Sequence, residues 1–277
     1  MVVANALDRA MAPGAMTLRT MFQLPRLKLS SGLAAVPRLP PGKRVYAVGD
    51  VHGCYDLFVE LLQRIDQDNA QRPEADVYLV LLGDLINRGP ASYQVLSLVA
   101  DLTVGGSQFV ALRGNHEATL VAAWHGSAAA CRQLHRMGIK QTLASYGVDT
   151  TDYDMWDIDQ LIALVQQTIS PQHIAFIEQM PLMWTCGDFV FVHASLEPGR
   201  SLDEQSEATL LWSRQPYQPG KSDVTAVVHG HANLLEPANE RHRICVDTSA
   251  HRTGVLTAVG LEGPDRWFLA TEPRQQP

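Results

Sequence analysis

Short apolar segments alternate with longer amphipathic segments between residues 44 and 124. The alternation predicts strands and helices in turn, at 44–48, 55–65, 77–82, 92–101, 108–112 and 116–124. The segment 77–82 is almost entirely apolar, which is typical of a strand that is buried on both faces. This repeated strand–helix order predicts a sheet covered by helices.

Residues 126–180 interrupt the alternation with three consecutive helical patterns, at 131–146, 158–168 and 171–179. Gly147 follows the first of these helices and Pro171 begins the last, in agreement with the preferences of helix ends and starts. We interpret this segment as a helical insertion.

Strand patterns return after the insertion. Segments 182–185 and 189–193 predict a hairpin. Further strands are predicted at 224–229, 243–247, 254–260 and 267–270, the last after a turn at 263–265. The whole pattern predicts an α/β fold, in which two packed mixed sheets are flanked by helices and carry the insertion.

Composition adds limits to this picture. The 277 residues allow one large domain, predicted at 44–272, after a flexible, basic and proline-containing extension at 1–43 and before a tail at 273–277. The formal net charge of −7 argues against a protein that coats nucleic acid. No apolar segment reaches the roughly 18 residues that a membrane span needs.

The four cysteines are Cys54, Cys131, Cys186 and Cys245, and none forms a Cys-x-x-Cys pair. This spacing argues against a zinc knuckle and against a dense disulfide framework. We interpret them as reduced thiols, mostly in the interior of a cytoplasmic protein.

Five polar motifs each follow an apolar segment. They are Gly49-Asp50-Val51-His52-Gly53, Gly83-Asp84-Leu85-Ile86-Asn87-Arg88-Gly89, Gly114-Asn115-His116-Glu117, Val192-His193-Ala194 and His229-Gly230-His231. Carboxylate, amide and imidazole ligands delivered at strand ends suit two divalent metal ions side by side, and such a pair activates water against phosphorus.

Each motif alone has a simpler interpretation. Asp84 or Asn87 could cap the helix that follows Pro90, and Glu117 could be only first-turn helix charge. A single histidine after a strand, such as His193, is more often structural. The set of motifs, and no single member, therefore supports the metal site. His229 and His251 are weaker candidates for supporting positions near it.

Two arginines are candidates for binding phosphate, since guanidinium matches phosphate oxygens bidentately and stays charged. Arg88 lies four residues after Asp84, and Arg214 ends the run Leu211-Trp212-Ser213-Arg214.

Taken together, the ordered motifs resemble the phosphoprotein phosphatase superfamily of metallophosphoesterases, over about residues 44–263. The bacterial and bacteriophage-lambda-like serine/threonine protein phosphatases are the most similar branch, and the symmetrical diadenosine tetraphosphatases come second. The resemblance implies an αββα sandwich and direct hydrolysis by a hydroxide that bridges two divalent metals. Manganese is the expected metal, with iron or zinc as alternatives.

The resemblance also implies roles for individual residues. Asp84 would bridge two ions held by Asp50, His52, Asn115, His193 and His231. His116 would be the general acid. Arg88 and Arg214, together with Asn115, would bind the substrate phosphate.

Asn87 departs from the family pattern, which has Asp at this position as a hydrogen-bond acceptor for the general-acid histidine. Asn87 could accept through its amide oxygen, but without negative charge, so an imidazolium at His116 would lose support. This change weakens catalysis with poor leaving groups such as a serine alkoxide.

Two substrates are therefore considered. The first expectation is phosphoserine or phosphothreonine in a phosphorylated protein. The alternative is symmetrical hydrolysis of a dinucleoside polyphosphate such as diadenosine tetraphosphate. A non-catalytic phosphate-binding module is a third interpretation, and the intact ligand set argues against it. Neither nucleic acid nor a membrane is an expected partner.

The general-acid role predicts a leaving-group dependence. His116→Asn is expected to lower turnover of alkyl phosphomonoesters, by roughly 10²–10⁴-fold, and to lower turnover of p-nitrophenyl phosphate far less, because nitrophenolate hardly needs a proton. Steady-state kinetics on both substrates measure the two losses. Equal losses would contradict the role.

Overall fold

The computed structural model describes residues 36–104, 106, 108–220 and 225–273. Most of the predicted extension, residues 1–35, and residues 274–277 of the predicted tail lie outside the described residues. Residues 38–40, which the pattern assigns to the extension, pack on the domain instead. Leu39 is buried between the sheets, and Asp188 donates its backbone N–H to the carbonyl oxygen of Arg38.

The first sheet has five strands. They are β1 (Lys43–Val48), β2 (Asp76–Leu81), β3 (Phe109–Ala111), β9 (Thr257–Glu262) and β10 (Asp265–Ala270). Their order is β10-β9-β1-β2-β3, with β1, β2 and β3 parallel and β9 antiparallel to both of its neighbours.

The second sheet also has five strands. They are β4 (Met183–Cys186), β5 (Phe189–Val192), β6 (Ala226–His229), β7 (Ala238–Glu240) and β8 (Arg243–Cys245). Their order is β4-β5-β6-β8-β7, with β5, β6 and β8 parallel and the two edge strands antiparallel. Both sheets are therefore mixed, as predicted.

Helices cover the sheets. They are α1 (Tyr55–Ala70), α2 (Ser92–Val104), α3 (Asn115–Trp124), α4 (Ala128–Met137), α5 (Ile139–Ser145), α6 (Ile158–Thr168), α7 (Pro171–Gln179), α8 (Glu207–Trp212) and α9 (Ala250–Thr253), with short 3₁₀ helices at Tyr153–Met155 and Leu202–Glu204. Helices α1–α7 share one apolar cluster on the outer face of the first sheet. None of the helices in the described ranges has the length and apolar character needed to cross a membrane.

Alternation along β1 explains the layers. Val45 and Ala47 point to the cluster between the sheets, whereas Tyr46 and Val48 point to the helices. Because all four side chains are buried, the strand reads as a continuous apolar segment. The α/β fold with two mixed sheets flanked by helices is thus confirmed.

The predicted helix 131–146 is wrong in one respect. It is two helices, α4 and α5, which meet at Gly138 in the left-handed region with φ of 87°. At this break the carbonyl oxygen of Gly138 accepts a hydrogen bond from the backbone N–H of Arg88, at 3.2 Å. A Cβ on residue 138 would lie 3.1 Å from the same nitrogen, so the break brings the insertion against the Arg88 loop.

Other differences concern short elements. The predicted strand 254–260 begins later, at Thr257, because the helix α9 ends just before it. Strand β7 and helix α8 were not predicted. Strand β7 has three residues at a partly exposed sheet edge and carries no apolar alternation. Helix α8 has six residues, too few for a clear helical period.

A buried arginine links the first strand to its surroundings. Arg44 is 1% exposed and donates to the Glu262 carboxylate (2.8 Å), to Asn69 Oδ1 (2.7 Å) and to the carbonyl oxygen of Pro73 (2.8 Å). Arg44→Ala removes three charge-assisted hydrogen bonds, but water can reach Glu262, which is 34% exposed, so we expect the free energy of unfolding to fall by about 1.5–3 kcal/mol.

Chemical denaturation measures this loss. Arg64→Ala is the matched control, because Arg64 pairs with Glu60 and Glu272 at the surface and should lose only about 0.2–1 kcal/mol. Similar losses in both variants would contradict a structural role for the buried arginine.

Candidate metal centre and substrate cavity

The candidate ligands lie at the carboxyl ends of parallel strands. Strands β1, β2 and β3 are neighbours, and β5 and β6 are neighbours in the other sheet. Side chains that follow such strands meet at one edge of the sandwich. The structure brings these residues together there: Asp50, His52, Asp84, Asn115, His116, His193 and His231.

The loops that carry these residues adopt an uncommon backbone conformation. Among the described residues, all the non-glycine residues with positive φ lie in these loops or beside them: His52, Asp84, Asn87, Arg88, His231, Asn233 and Ser249. Each such residue costs of order 1–3 kcal/mol, and such residues cluster at functional sites. The surrounding hydrogen bonds must therefore hold the loops in place.

Glu117 supplies several of these hydrogen bonds. Its Oε2 accepts the backbone N–H groups of Asp84 (2.8 Å) and Gly114 (3.0 Å), and its Oε1 accepts those of Leu85 (2.8 Å) and Ile86 (3.2 Å). Glu117 therefore does more than supply first-turn helix charge. A buried carboxylate clamps the turn that aims Asp84.

Two groups of potential ligands share Asp84. Its Oδ2 lies 3.7 Å from His52 Nε2 and 3.6 Å from His116 Nε2, and its Oδ1 lies 3.4 Å from His193 Nε2. His52 and His116 complete one group, and His193 and His231 complete the other. One carboxylate facing two groups is the arrangement that a bridging ligand requires.

The ligand atoms face inward because the opposite ring nitrogens are occupied. His52 Nδ1 donates to the carbonyl oxygen of Ile86, and His193 Nδ1 donates to that of Leu82, both at 2.9 Å. These bonds fix the tautomer that leaves Nε2 with a free lone pair, as metal-binding histidines require.

The set of potential metal ligands fits a pair of cations. His193 donates through Nδ1, so its Nε2 carries a lone pair, and this atom lies 3.4 Å from Asp84 Oδ1; two acceptor atoms therefore face one another beside the Asn115 amide. Acceptors crowded in this way repel one another unless a cation lies between them.

Asp50 lies beside the first group. Its Oδ2 is 4.0 Å from His52 Nε2, and the backbone N–H of His231 donates to both carboxylate oxygens, at 3.1 and 3.2 Å. Gly230 makes this approach possible, since a Cβ there would lie 2.0 Å from Asp50 Oδ1.

Asp247 is a site residue that the sequence reasoning missed. It is buried and accepts the backbone N–H groups of Asn233 and Ser249. Its position at the end of the predicted strand 243–247 was the available signal. Burial, and then the charges of Asp247 and Asp84, raise the pKa of Asp50 well above its usual value.

Burial also shifts the other groups. It raises the pKa of Asp84 to about 7, lowers that of His193 to about 4 and lowers that of His231 to about 3. The pKa of His52 also lies well below its usual value, again mainly through burial. Metal-free, this site holds neutral imidazoles beside carboxyls that resist ionisation, and a cation relieves that resistance.

A cavity of about 240 Å³ opens over this centre. Its floor includes Asp84 and His116, and three guanidinium groups line it: Arg88, Arg136 and Arg214. The sequence predicted two of them together. Arg136 was missed, because it lies in the insertion and belongs to no motif.

Arg88 is held from several sides. Its guanidinium donates to Asn233 Oδ1 at 3.2 Å and lies 3.4 Å from His116 Nε2 and 3.5 Å from His251 Nε2. His251 thus reaches the centre. His229 accepts from Arg243 Nε at 3.0 Å, and so it serves the packing beneath the site.

Asn87 differs from the expected arrangement. Its amide Nδ2, instead of its oxygen, faces His116 Nδ1 at 2.9 Å, because Oδ1 accepts the hydroxyl of Thr142 at 2.7 Å. Because the Asn87 amide donates to Nδ1 of His116, the neutral imidazole carries its proton on Nε2, which faces the cavity. The expectation that Asn87 accepts from His116 was therefore wrong.

The calcineurin-like phosphoesterase family model matches residues 43–252. The chain belongs to this family. Members of this family use a dinuclear metal centre, and the predicted superfamily is confirmed.

Curated relatives refine the comparison. A symmetrical bis(5′-nucleosyl)-tetraphosphatase of Aromatoleum aromaticum is 30% identical over 67% of the chain and 52% of its own length. An asymmetrical bis(5′-nucleosyl)-tetraphosphatase of Bacillus mycoides is 26% identical over 79% of the chain and 89% of its own length. The chain thus spans about half the length of the first relative.

A solved structure of a protein proposed to be a diadenosine tetraphosphatase has a TM-score of 0.56 and 21% identity, over 85% of this chain and 98% of its own. At this identity the likeness concerns the fold.

The Glu117 clamp gives a prediction for metal binding. In Glu117→Gln, an amide NH₂ replaces one acceptor oxygen and faces backbone N–H groups, so the Asp84 turn should loosen. We expect affinity for Mn²⁺ to fall by roughly 10–100-fold, measured by calorimetric titration of metal-free protein.

Glu207→Gln is the matched control, since Glu207 also lies in a helix first turn but is exposed. It should bind Mn²⁺ like the unmodified chain. Unchanged affinity in Glu117→Gln would show that the clamp does not organise the ligands.

Proposed function

We propose that this phosphoesterase hydrolyses dinucleoside polyphosphates, with diadenosine tetraphosphate as the representative substrate. The observation that carries the proposal is the set of three guanidiniums, Arg88, Arg136 and Arg214, around one small cavity. Asp84 is the one carboxylate of that lining. A phosphomonoester brings a single phosphoryl group, whereas a polyphosphate brings several that need cationic partners.

The chain's own residues have distinct parts in the reaction. Arg88 and Arg214 hold oxygens of the phosphate that is attacked, and Asn115 orients it. His116 presents Nε2–H toward the leaving oxygen. Asn233 and His251 keep the Arg88 guanidinium in place. When bound, the divalent ions supply an activated water and neutralise developing charge.

The leaving group agrees with this substrate. A nucleotide phosphate departs with little need for protonation, unlike a serine or threonine alkoxide. Asn87 gives His116 a neutral amide in place of a carboxylate partner. The names of the curated relatives point in the same direction.

Phosphoserine and phosphothreonine hydrolysis is the second candidate. It is favoured by Gly114-Asn115-His116-Glu117 and by Leu211-Trp212-Ser213-Arg214, which resemble the protein-phosphatase motifs. Both sequences lie at the cavity, so they support phosphate binding in either case.

A substrate panel tests the proposal. With Mn²⁺, kcat/KM for diadenosine tetraphosphate should exceed that for phosphoserine and phosphothreonine peptides by about 100-fold or more, equal to about 2.7 kcal/mol. The expected product is ADP, and Asp84→Asn is the control for contaminating phosphatases.

The opposite preference, for phosphopeptides over diadenosine tetraphosphate, would indicate a protein phosphatase instead. ATP and AMP as products would keep the substrate but make the cleavage asymmetrical. If the metal-loaded protein is inactive on every phosphate ester and anhydride, the result would indicate a non-catalytic phosphate-binding module.

A further inference from the structure

The size of the cavity limits what it can hold. Pockets that enclose a drug-sized ligand usually measure about 300–1,000 Å³, whereas this cavity measures about 240 Å³. A dinucleoside polyphosphate is larger than a typical drug. The cavity therefore holds phosphates, and the nucleosides must lie on its rim.

Trp212 stands on that rim. Of the five tryptophans in the chain it is the exposed one, at 38%. It ends α8, whose residues Leu210 and Leu211 are buried and hold the helix to the domain. Trp212 lines the cavity, and its ring makes no aromatic or cation–π contact with another described residue. A rigidly mounted aromatic face is thus open at the cavity mouth.

The opposite side of the mouth belongs to α4. Gln133, Arg136 and Met137 recur at helical spacing and line the cavity, while Cys131 and Leu134 pack into the core. Arg136 is exposed and forms no hydrogen bond or ion pair with any described residue. Its guanidinium is free for a ligand beyond the phosphate held by Arg88 and Arg214.

We propose that Trp212 and Arg136 form a second subsite, which binds the nucleotide attached to the attacked phosphate. In this subsite Trp212 stacks on the nucleobase and Arg136 binds the adjoining phosphate. The inference rests on the proposed function and adds its specificity residues. The insertion thereby contributes directly to substrate choice, through a residue of α4.

Stacking explains why an aromatic residue suits the position. Every nucleobase has a π face, and base–aromatic stacking contributes enough to change affinity roughly 5–150-fold. A scattered surface tryptophan is normal by itself. What distinguishes Trp212 is that it lines the same cavity as Arg214, two residues later in the chain, and Arg136 of α4.

The test compares three substrates of the Mn²⁺-loaded full chain: diadenosine tetraphosphate, inorganic tripolyphosphate, which lacks a base, and p-nitrophenyl phosphate, which also lacks a second phosphate. In Trp212→Leu, kcat/KM for the dinucleotide should fall about ten-fold or more relative to both other substrates. The loss should be in KM, and Trp212→Phe should restore most of it.

Arg136→Gln should produce a different pattern. The kcat/KM values for both polyphosphates should fall relative to that for p-nitrophenyl phosphate, by roughly ten-fold. Arg132→Gln is the matched control, since Arg132 lies one turn earlier on α4, is exposed and does not line the cavity. In this variant the ratios of kcat/KM among the three substrates should stay unchanged.

A binding measurement accompanies the kinetics. Titration of the holoenzyme with ADP should quench tryptophan fluorescence, and Trp212→Phe should remove most of that quenching. This readout separates stacking from a structural effect on turnover.

Two results would overturn the subsite. One is equal loss on all three substrates, which would indicate a structural role. The other is unchanged ratios with unchanged fluorescence quenching. If the unmodified chain does not hydrolyse diadenosine tetraphosphate at all, the proposed function itself falls, and the subsite falls with it.

Discussion

The crowding of buried acceptor atoms around Asp84 is the constraint on which the rest of the structure depends. Its two oxygens face the Nε2 lone pairs of His52 and His193 within 3.7 Å, and burial raises its pKa to about 7. Such a cluster destabilises a fold unless cations occupy it. The chain therefore has to supply rigid supports that keep the ligands together before metal arrives.

Those supports come from backbone groups. Carbonyl oxygens of Ile86 and Leu82 orient two histidines, and backbone N–H groups converge on the carboxylates of Glu117 and Asp50. Each support spans two strand ends, so the left-handed loop conformations are stabilised by neighbours in space. The sandwich brings these ends to one edge, and the hydrogen bonds then set the directions of the side chains.

The sequence predicted which residues the structure brings together at this edge, because each one is a polar residue soon after an apolar strand. The same local logic predicted the two mixed sheets, including β1, in which alternate residues face different clusters. It could not predict Arg136 or the orientation of Asn87. Both depend on contacts across the chain: Gly138 docks on Arg88, and Thr142 binds an amide 55 residues away.

These two contacts join the insertion to the loop that carries Asn87 and Arg88. The α4–α5 segment accepts a hydrogen bond from the backbone of Arg88 and, through Thr142, donates one to Asn87. The Thr142 hydroxyl turns the Asn87 amide so that a donor meets His116, which an Asp at position 87 could not supply. The same segment places Arg136 at the cavity mouth. The insertion therefore contacts the hydrogen-bond partner of His116 and also contributes to the cavity lining. A substitution in α4 or α5 therefore changes the surroundings of both His116 and Arg136.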